Sequence, residues 1–233
     1  MRVVSLVPSV TETLLEWGIE PIACTRFCEQ PSLRHVGGTK DPDIASIATL
    51  APDVVIVDRE ENRREDATKL IERGLRVVDL HVTSLDTAVS ETNRLASIVG
   101  VDRRCSVSLD RRPLRACAFV PIWRRPWMTI NAMTYGASLL ESIGVGISHP
   151  GSSAAYPEVS GDELGRLGAD AGVDVVLLPT EPYAFAERHV SEIAEATGIA
   201  DVRIIDGRDL FWWGVRTEAA QERLAKQLGD LLG

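Results

Sequence analysis

DPDIASIATLAPDVVIVDREEN, residues Asp41–Asn62, returns in pattern at Tyr156–Pro182 as YPEVSGDELGRLGADAGVDVVLLPTEP. Each passage runs through a proline, an acidic residue and an aliphatic, then a short helical stretch, then an aspartate (Asp53, Asp174). Each closes on an aliphatic run that ends beside a glutamate. A repeat at this scale marks a duplicated supersecondary unit. Val54–Val57 and Val175–Leu178 are apolar without alternation, as expected of strands covered on both faces of a parallel sheet. The two halves of the chain are therefore expected to be related lobes.

Working outward, further aliphatic runs occur at Val3–Val7, Leu75–Leu80, Ala116–Pro121 and Val202–Ile205, with helical patterns between them. This alternation predicts an α/β protein with mostly parallel sheets. In RVVSLVPSVTETLLEWG (Arg2–Gly18) the strand stops at Pro8. Ser9 and Glu12 have the S-x-x-E spacing of a capping box, Leu14, Leu15 and Trp17 form an apolar stripe assigned to the core, and Gly18 is the stop. In Thr83–Pro113, Ser84 and Thr87 offer N-caps, Leu85, Ala88, Val89, Leu95, Ile98 and Val99 an apolar face, and Gly100 a C-cap. A helix there would bridge the lobes. The chain is divided accordingly into an N-terminal lobe (1–82), a connecting helix and linker (83–113) and a C-terminal lobe (114–233). A further helix is expected to begin near Asn131.

The 233 residues suffice for a large core. The 45% hydrophobic and 25% charged composition is ordinary for a soluble protein. A net charge of −9 argues against nucleic acid as the main partner, because phosphate binding needs a basic face. Seven arginines gather between Arg103 and Arg125, but Asp102 and Asp110 interleave with them, which reads as a solvated connector. No run has the length of a membrane helix, and Pro8, Thr11 and Glu12 interrupt any signal-peptide pattern. As written, the chain reads as cytoplasmic, or as periplasmic or cell-surface if a signal segment precedes it. Cys24, Cys28, Cys105 and Cys117 are too few for a disulfide scaffold, and the C-x-x-x-C of the first two lacks a second ligand pair, so small buried residues are weighed above a zinc site. Nucleotide-binding glycine loops, H-E-x-x-H and G-x-S-x-G are absent from the sequence. His35, His81, His149 and His189 have no nucleophile or carboxylate at a diagnostic spacing.

RVVSLVPSVTETLLEWG, VGGTKDPDIASIATLAPDVVIVDREENRRED (Val36–Asp66), PWMTINAMTYGASLLESIG (Pro126–Gly144) and YPEVSGDELGRLGADAGVDVVLLPTEPYAFAERHVSEI (Tyr156–Ile193) resemble, in order, the substrate-binding components of ABC importers for cobalamin, haem and iron–siderophores. The resemblance runs from Arg2 to about Gly214. It implies two Rossmann-like lobes joined by a single backbone helix, a ligand cleft between them, and binding rather than catalysis. No intrinsic cofactor or protein metal ligand is implied. The cargo would be a corrinoid, with haem or a ferric siderophore as alternatives, and the partner an ABC permease. It also implies that one glutamate on each lobe meets arginines of the permease; the matching positions are Glu60 or Glu61 and Glu181. A monomer is expected.

Only 12 residues are aromatic, yet Phe27, Trp123, Trp127, Tyr135, Tyr183, Phe185, Trp212 and Trp213 lie where strands end or helices begin, the ligand edge of an α/β sheet. Such side chains suit a large, flat, partly apolar ligand bearing polar arms. The expected ligand-binding set is Pro8, Ser9, Arg26, Phe27, Trp123, Trp127, Tyr135, Tyr183, Phe185 and Trp213. The competing expectation places half of these aromatics in the core. Arg26, Arg124 and Arg125 leave an anionic chelate open. A chelatase-like enzyme would have only His149 and Glu29 to call on, and an orphan cytosolic sensor or carrier is the third alternative.

Overall fold

Asp53 and Asp174, which head the two repeated strands, make the same pair of bonds. The Asp53 N–H donates to Arg2 O at 2.8 Å while its Oδ2 accepts from Arg2 N at 2.6 Å. The Asp174 N–H donates to Cys117 O at 2.8 Å while its Oδ2 accepts from Cys117 N at 2.8 Å. One aspartate thus fixes the register of each repeated strand against the first strand of its own sheet.

The computed structural model describes residues 1–110, 112–169 and 172–233. Arg111 of the arginine run, and Asp170 and Ala171 of the repeat, lie outside them. The chain forms two units. Unit 1 comprises residues 1–82, 87–106 and 213–216, and unit 2 residues 83–86, 107–212 and 217–233.

Unit 1 contains β1 (Val3–Ser5), α1 (Pro8–Glu16), β2 (Ala23–Cys24), α2 (Ile44–Thr49), β3 (Val54–Asp58), α3 (Arg64–Glu72), β4 (Val77–Leu80) and the residues of α4 (Leu85–Val99) from Thr87 onward. Its sheet has the order β2-β1-β3-β4, parallel throughout. Val4, Leu6, Ile47, Val55, Val57 and Leu70 close the core against it.

Unit 2 contains β5 (Ala116–Phe119), β6 (Pro121–Arg124), β7 (Trp127–Thr129), α5 (Tyr135–Ser142), β8 (Val145–Ile147), β9 (Glu158–Val159), α6 (Gly161–Leu164), β10 (Val175–Pro179), α7 (Val190–Thr197), β11 (Val202–Ile205), α8 (Gly207–Phe211), α9 (Thr217–Gln227) and α10 (Gly229–Leu232). The parallel sheet β11-β10-β5-β8 packs Phe119, Val176, Leu178, Phe185 and Ile193 into its core. Numbered along each unit, both sheets have the strand order second-first-third-fourth, and the repeated strands β3 and β10 are both third. The correspondence continues past the strands: Arg59 N donates to Leu80 O (3.0 Å), and Thr180 N to Ile205 O (3.1 Å). Aligning Asp53 with Asp174 therefore carries Glu60 onto Glu181.

Several local expectations are corrected. Pro8 does not end a strand at Val7: β1 stops at Ser5, and Pro8 opens α1, with Val7 as N-cap and no side-chain cap. Proline is pre-organised for the first helical position, so Ser9 falls inside the helix, and Glu12 is taken by Arg216. Trp17 is the C-cap of α1 and half-buried rather than core. Thr87 lies inside the first turn of α4, whereas Gly100 has the left-handed φ of 76° expected of its position. Ala116–Pro121 is two strands, because the chain leaves the parallel sheet after Phe119 and turns into an antiparallel hairpin. α5 begins at Tyr135, four residues beyond Asn131, where the Thr134 hydroxyl accepts from Ala137 N (3.3 Å). Arg103, Arg104, Arg112 and Arg115 are all exposed. Among the described residues no helix is long and apolar enough to cross a membrane.

Candidate functional site

The hairpin β6–β7 leaves the carboxyl end of β5, and the segment 180–189 leaves the carboxyl end of β10, its neighbour in the sheet. Strand ends of a parallel sheet are where α/β folds present ligand-facing loops. In the hairpin Trp123 pairs with Met128 and Arg124 with Trp127, across a turn of Arg125 and a cis Pro126. β7 pairs with β9 on its other side, so the hairpin is held as a three-stranded antiparallel sheet.

Four of the expected ligand residues meet here. The Trp123 ring, 45% exposed, stands edge-on to Tyr183 at 5.6 Å. Tyr183 tilts against Phe185 at 4.6 Å, and Phe185 lies parallel to Trp127 at 6.3 Å. Ring pairs at these separations rigidify one another. His189 completes the cluster edge-on to Tyr183 and Phe185. Its Nδ1 accepts from Ala186 N (3.0 Å), so it is a buried packing residue, as its sequence spacing suggested. Arg124 pairs with Glu192 of α7 and bonds Tyr183, which together hold its guanidinium charged. Beside this pair opens a cavity of about 470 Å³ lined by Arg124, Arg125, Pro126, Trp127, Val159, Gly161 and Glu192. Its indole and guanidinium groups can hold an apolar plate by one face and a polar arm by its edge.

Unit 1 contributes a smaller surface. Arg26 and Phe27 sit on the short 3₁₀ turn Arg26–Cys28 that follows β2. The Arg26 guanidinium binds both carboxylate oxygens of Asp41, at 2.9 and 3.0 Å, and lies 4.9 Å from the centre of the Phe27 ring, itself 51% exposed. The pair packs over Gly38, where a Cβ would stand 2.3 Å from Asp41 Oδ1 and 2.8 Å from the Arg26 guanidinium and would push the two side chains aside.

The remaining expected residues are interior. Pro8 and Ser9 are buried at the start of α1, and Tyr135 is buried with its hydroxyl on Thr217 Oγ1 (3.2 Å). Trp213 is 4% exposed and belongs to unit 1. These four shape the scaffold. Of the docking candidates, Glu61 is exposed and Glu60 half-buried, with His81 3.8 Å from its carboxylate. Glu181 is also half-buried. His149 bonds Ser148 (2.7 Å), and burial holds its ring below the usual histidine range. Glu192 was missed by sequence reasoning. Its partner Arg124 lies 68 positions away, and no local pattern joins them.

Two α/β units with parallel sheets of like strand order make a fold similar to that of solved periplasmic binding proteins. Among solved structures the chain is similar to the periplasmic vitamin B12 binding protein BtuF of Vibrio cholerae, at 17% identity, 99% of this chain, 97% of that one and a TM-score of 0.74. It is similar to the periplasmic heme-binding protein BhuT in complex with two hemes (17%, 100% and 99%, TM-score 0.78). The third is the periplasmic heme-binding protein RhuT from Roseiflexus sp. RS-1 (17%, 100% and 99%, TM-score 0.78). At these identities the likeness is one of fold. No protein-family model matches the chain.

Proposed function

We propose that this chain is the substrate-binding component of an ABC importer and captures a metal chelate, with a corrinoid as its cargo. The observation that carries the proposal is the ring cluster Trp123, Tyr183, Phe185 and Trp127 at the strand ends of a fold shared with vitamin B12 and heme binding proteins. Glu192 offsets the charge of Arg124, so the cluster offers aromatic faces more than cationic ones, which favours a macrocycle with neutral amide arms. A second reading, haem or another carboxylate-bearing chelate, is favoured by the exposed Arg125 at the hairpin tip. Such a protein works in the periplasm or at the cell surface; the cytoplasmic expectation finds no support among the similar structures.

Titration with cyanocobalamin, haemin and a ferric siderophore should quench tryptophan emission saturably for one of them, cyanocobalamin on the leading reading. Stacked aromatics add roughly 0.5–1.5 kcal/mol each beyond their buried area, so Trp123→Ala should weaken that ligand about tenfold. Should none of the three bind below roughly 100 μM, about −5.5 kcal/mol, the proposal fails.

We further propose that Glu60 and Glu181, equivalent by the repeat, dock the permease. Exposed ion pairs are individually weak, so docking relies on several acting together. Glu60→Lys with Glu181→Lys should lower uptake about tenfold or more while ligand affinity stays within about twofold. Unchanged uptake in the double variant would remove the docking assignment.

A further inference from the structure

Arg124 and Glu192 reach the cavity from elements 68 positions apart in the chain. Arg124 ends β6, opposite Trp127 in the hairpin, and Glu192 stands in the first turn of α7. One hydrogen bond joins them, Arg124 Nη2 donating to Glu192 Oε1. Glu192 Oε2 accepts no hydrogen bond among the described residues. A guanidinium has more N–H donors than the contacts of Arg124 with Glu192 and Tyr183 use. The two side chains are 23% and 44% exposed, so each keeps atoms toward the cavity while holding the other. Trp127 lines the same cavity, so a plate lying on its indole brings edge substituents up to the pair. Arg125, the third charged group there, is exposed, and water screens its pull on an anion.

We propose that Glu192, held by Arg124, sets the specificity of this cavity: together they read one primary carboxamide on the rim of the bound macrocycle and turn away a carboxylate at the same place. The inference rests on the reading of the chain as a metal-chelate receptor and assigns one arm of that cargo to two side chains. Charge balance alone makes the pair indifferent among neutral arms, but its hydrogen-bond directions distinguish them. A primary carboxamide accepts through its carbonyl oxygen and donates through its N–H groups, so it satisfies Arg124 and Glu192 Oε2 together. A carboxylate only accepts; it serves Arg124, brings a second negative charge against Glu192 and gives Oε2 nothing. An ester likewise leaves Oε2 without a donor. A buried site built to bond a substrate N–H rejects the analogue lacking it by several orders of magnitude. With Glu192 44% exposed, water makes up much of that loss, and about tenfold remains.

The test compares amide with acid on two macrocycles, so that cargo and arm are read separately. Cyanocobalamin is set against its monocarboxylic acids, in each of which hydrolysis has turned one propionamide into a propionate. Haemin is set against its diamide. All are titrated by tryptophan quenching near pH 7.5 at fixed ionic strength. For the corrinoid, one monocarboxylic acid should bind about tenfold more weakly than the amide while its isomers stay within about twofold; for haem, the diamide should bind more tightly than haemin by a similar factor. Glu192→Gln keeps the size and a carbonyl acceptor but removes the negative charge, and should bring acid and amide to within about twofold. If only the haem compounds bind, with the diamide ahead, the corrinoid cargo falls and the role of Glu192 stands. The proposal is overturned if amide and acid bind equally on every macrocycle that binds, if the preference persists in Glu192→Gln, or if neither macrocycle binds. The wild-type comparison decides the matter even where the variant does not fold.

Discussion

Asp58→Asn should stabilise the protein by about 2–4 kcal/mol at pH 8 and by almost nothing below about pH 4. Asp58 ends β3 at 1% exposure. Its Oδ1 accepts from Glu60 N (2.8 Å), and its own N–H donates to Asn62 Oδ1 (2.9 Å). Asn62 in turn donates to Leu6 O (3.1 Å) and Thr39 O (2.9 Å), so the surroundings are rigid. Asp58 Oδ2 is buried with no hydrogen-bond partner among the described residues. Burial, helped by the charges of Glu61 and Glu60, pushes its carboxyl from 3.8 up to about 7. Between those values the folded chain keeps a proton that the unfolded chain has released, so stability falls as pH rises through this window and stays low above it. A shift of about 3 units corresponds to about 4 kcal/mol at most. The amide carries no charge and escapes the penalty. Urea unfolding of both proteins from pH 4 to pH 8 checks this: parallel stability curves would refute the assignment.

Gly207→Ala should cost about 1–3 kcal/mol and disturb the aromatic cluster as well. Gly207 opens α8, and a Cβ there would sit 2.5 Å from Glu181 N and 2.6 Å from Glu181 O. Both obstacles are backbone, so no side chain can swing aside. The loop must move, and two residues on it carries Tyr183, four residues on Phe185. The tryptophan emission maximum, to which Trp123 and Trp127 contribute alongside Trp17, Trp212 and Trp213, should shift together with the unfolding midpoint. A variant with unchanged emission and wild-type stability would show that the loop yields freely.

The repeat was legible because its markers are local: an aspartate, a buried aliphatic run and a glutamate at fixed spacing, each answerable to its own sheet. So too was the α/β class, since β3 and β10 carry the uninterrupted apolar runs Val54–Val57 and Val175–Leu178. What failed depended on partners far along the chain. The capping box expected at Ser9 and Glu12 has the right letters, but Pro8 takes the first helical position and Glu12 is drawn to an arginine 204 residues away. The same motif at Ser160 and Glu163, with no proline or distant cation to compete, does form. The hairpin was hidden because Val120, Pro121 and Ile122 are as apolar and buried as the strand before them. Of the site, Trp123, Trp127, Tyr183 and Phe185 were legible as aromatics at strand ends. Pro8, Ser9, Tyr135 and Trp213 share that position in sequence, and only packing separates the buried from the displayed.

Unit 1 is not finished by the first half of the chain. Gly214, at a φ of 112°, lies so close to α1 that a Cβ would stand 2.1 Å from Thr13 Oγ1. Arg216 closes two bonds on Glu12 at 2.7 and 2.6 Å. A ribosome delivers residue 12 long before residue 216, and domains ordinarily fold in the order they emerge. Here the amino-terminal unit gains the counter-charge of Glu12 and the close packing of Gly214 on α1 only after residue 216 has been made, long after its own sheet and core residues are available.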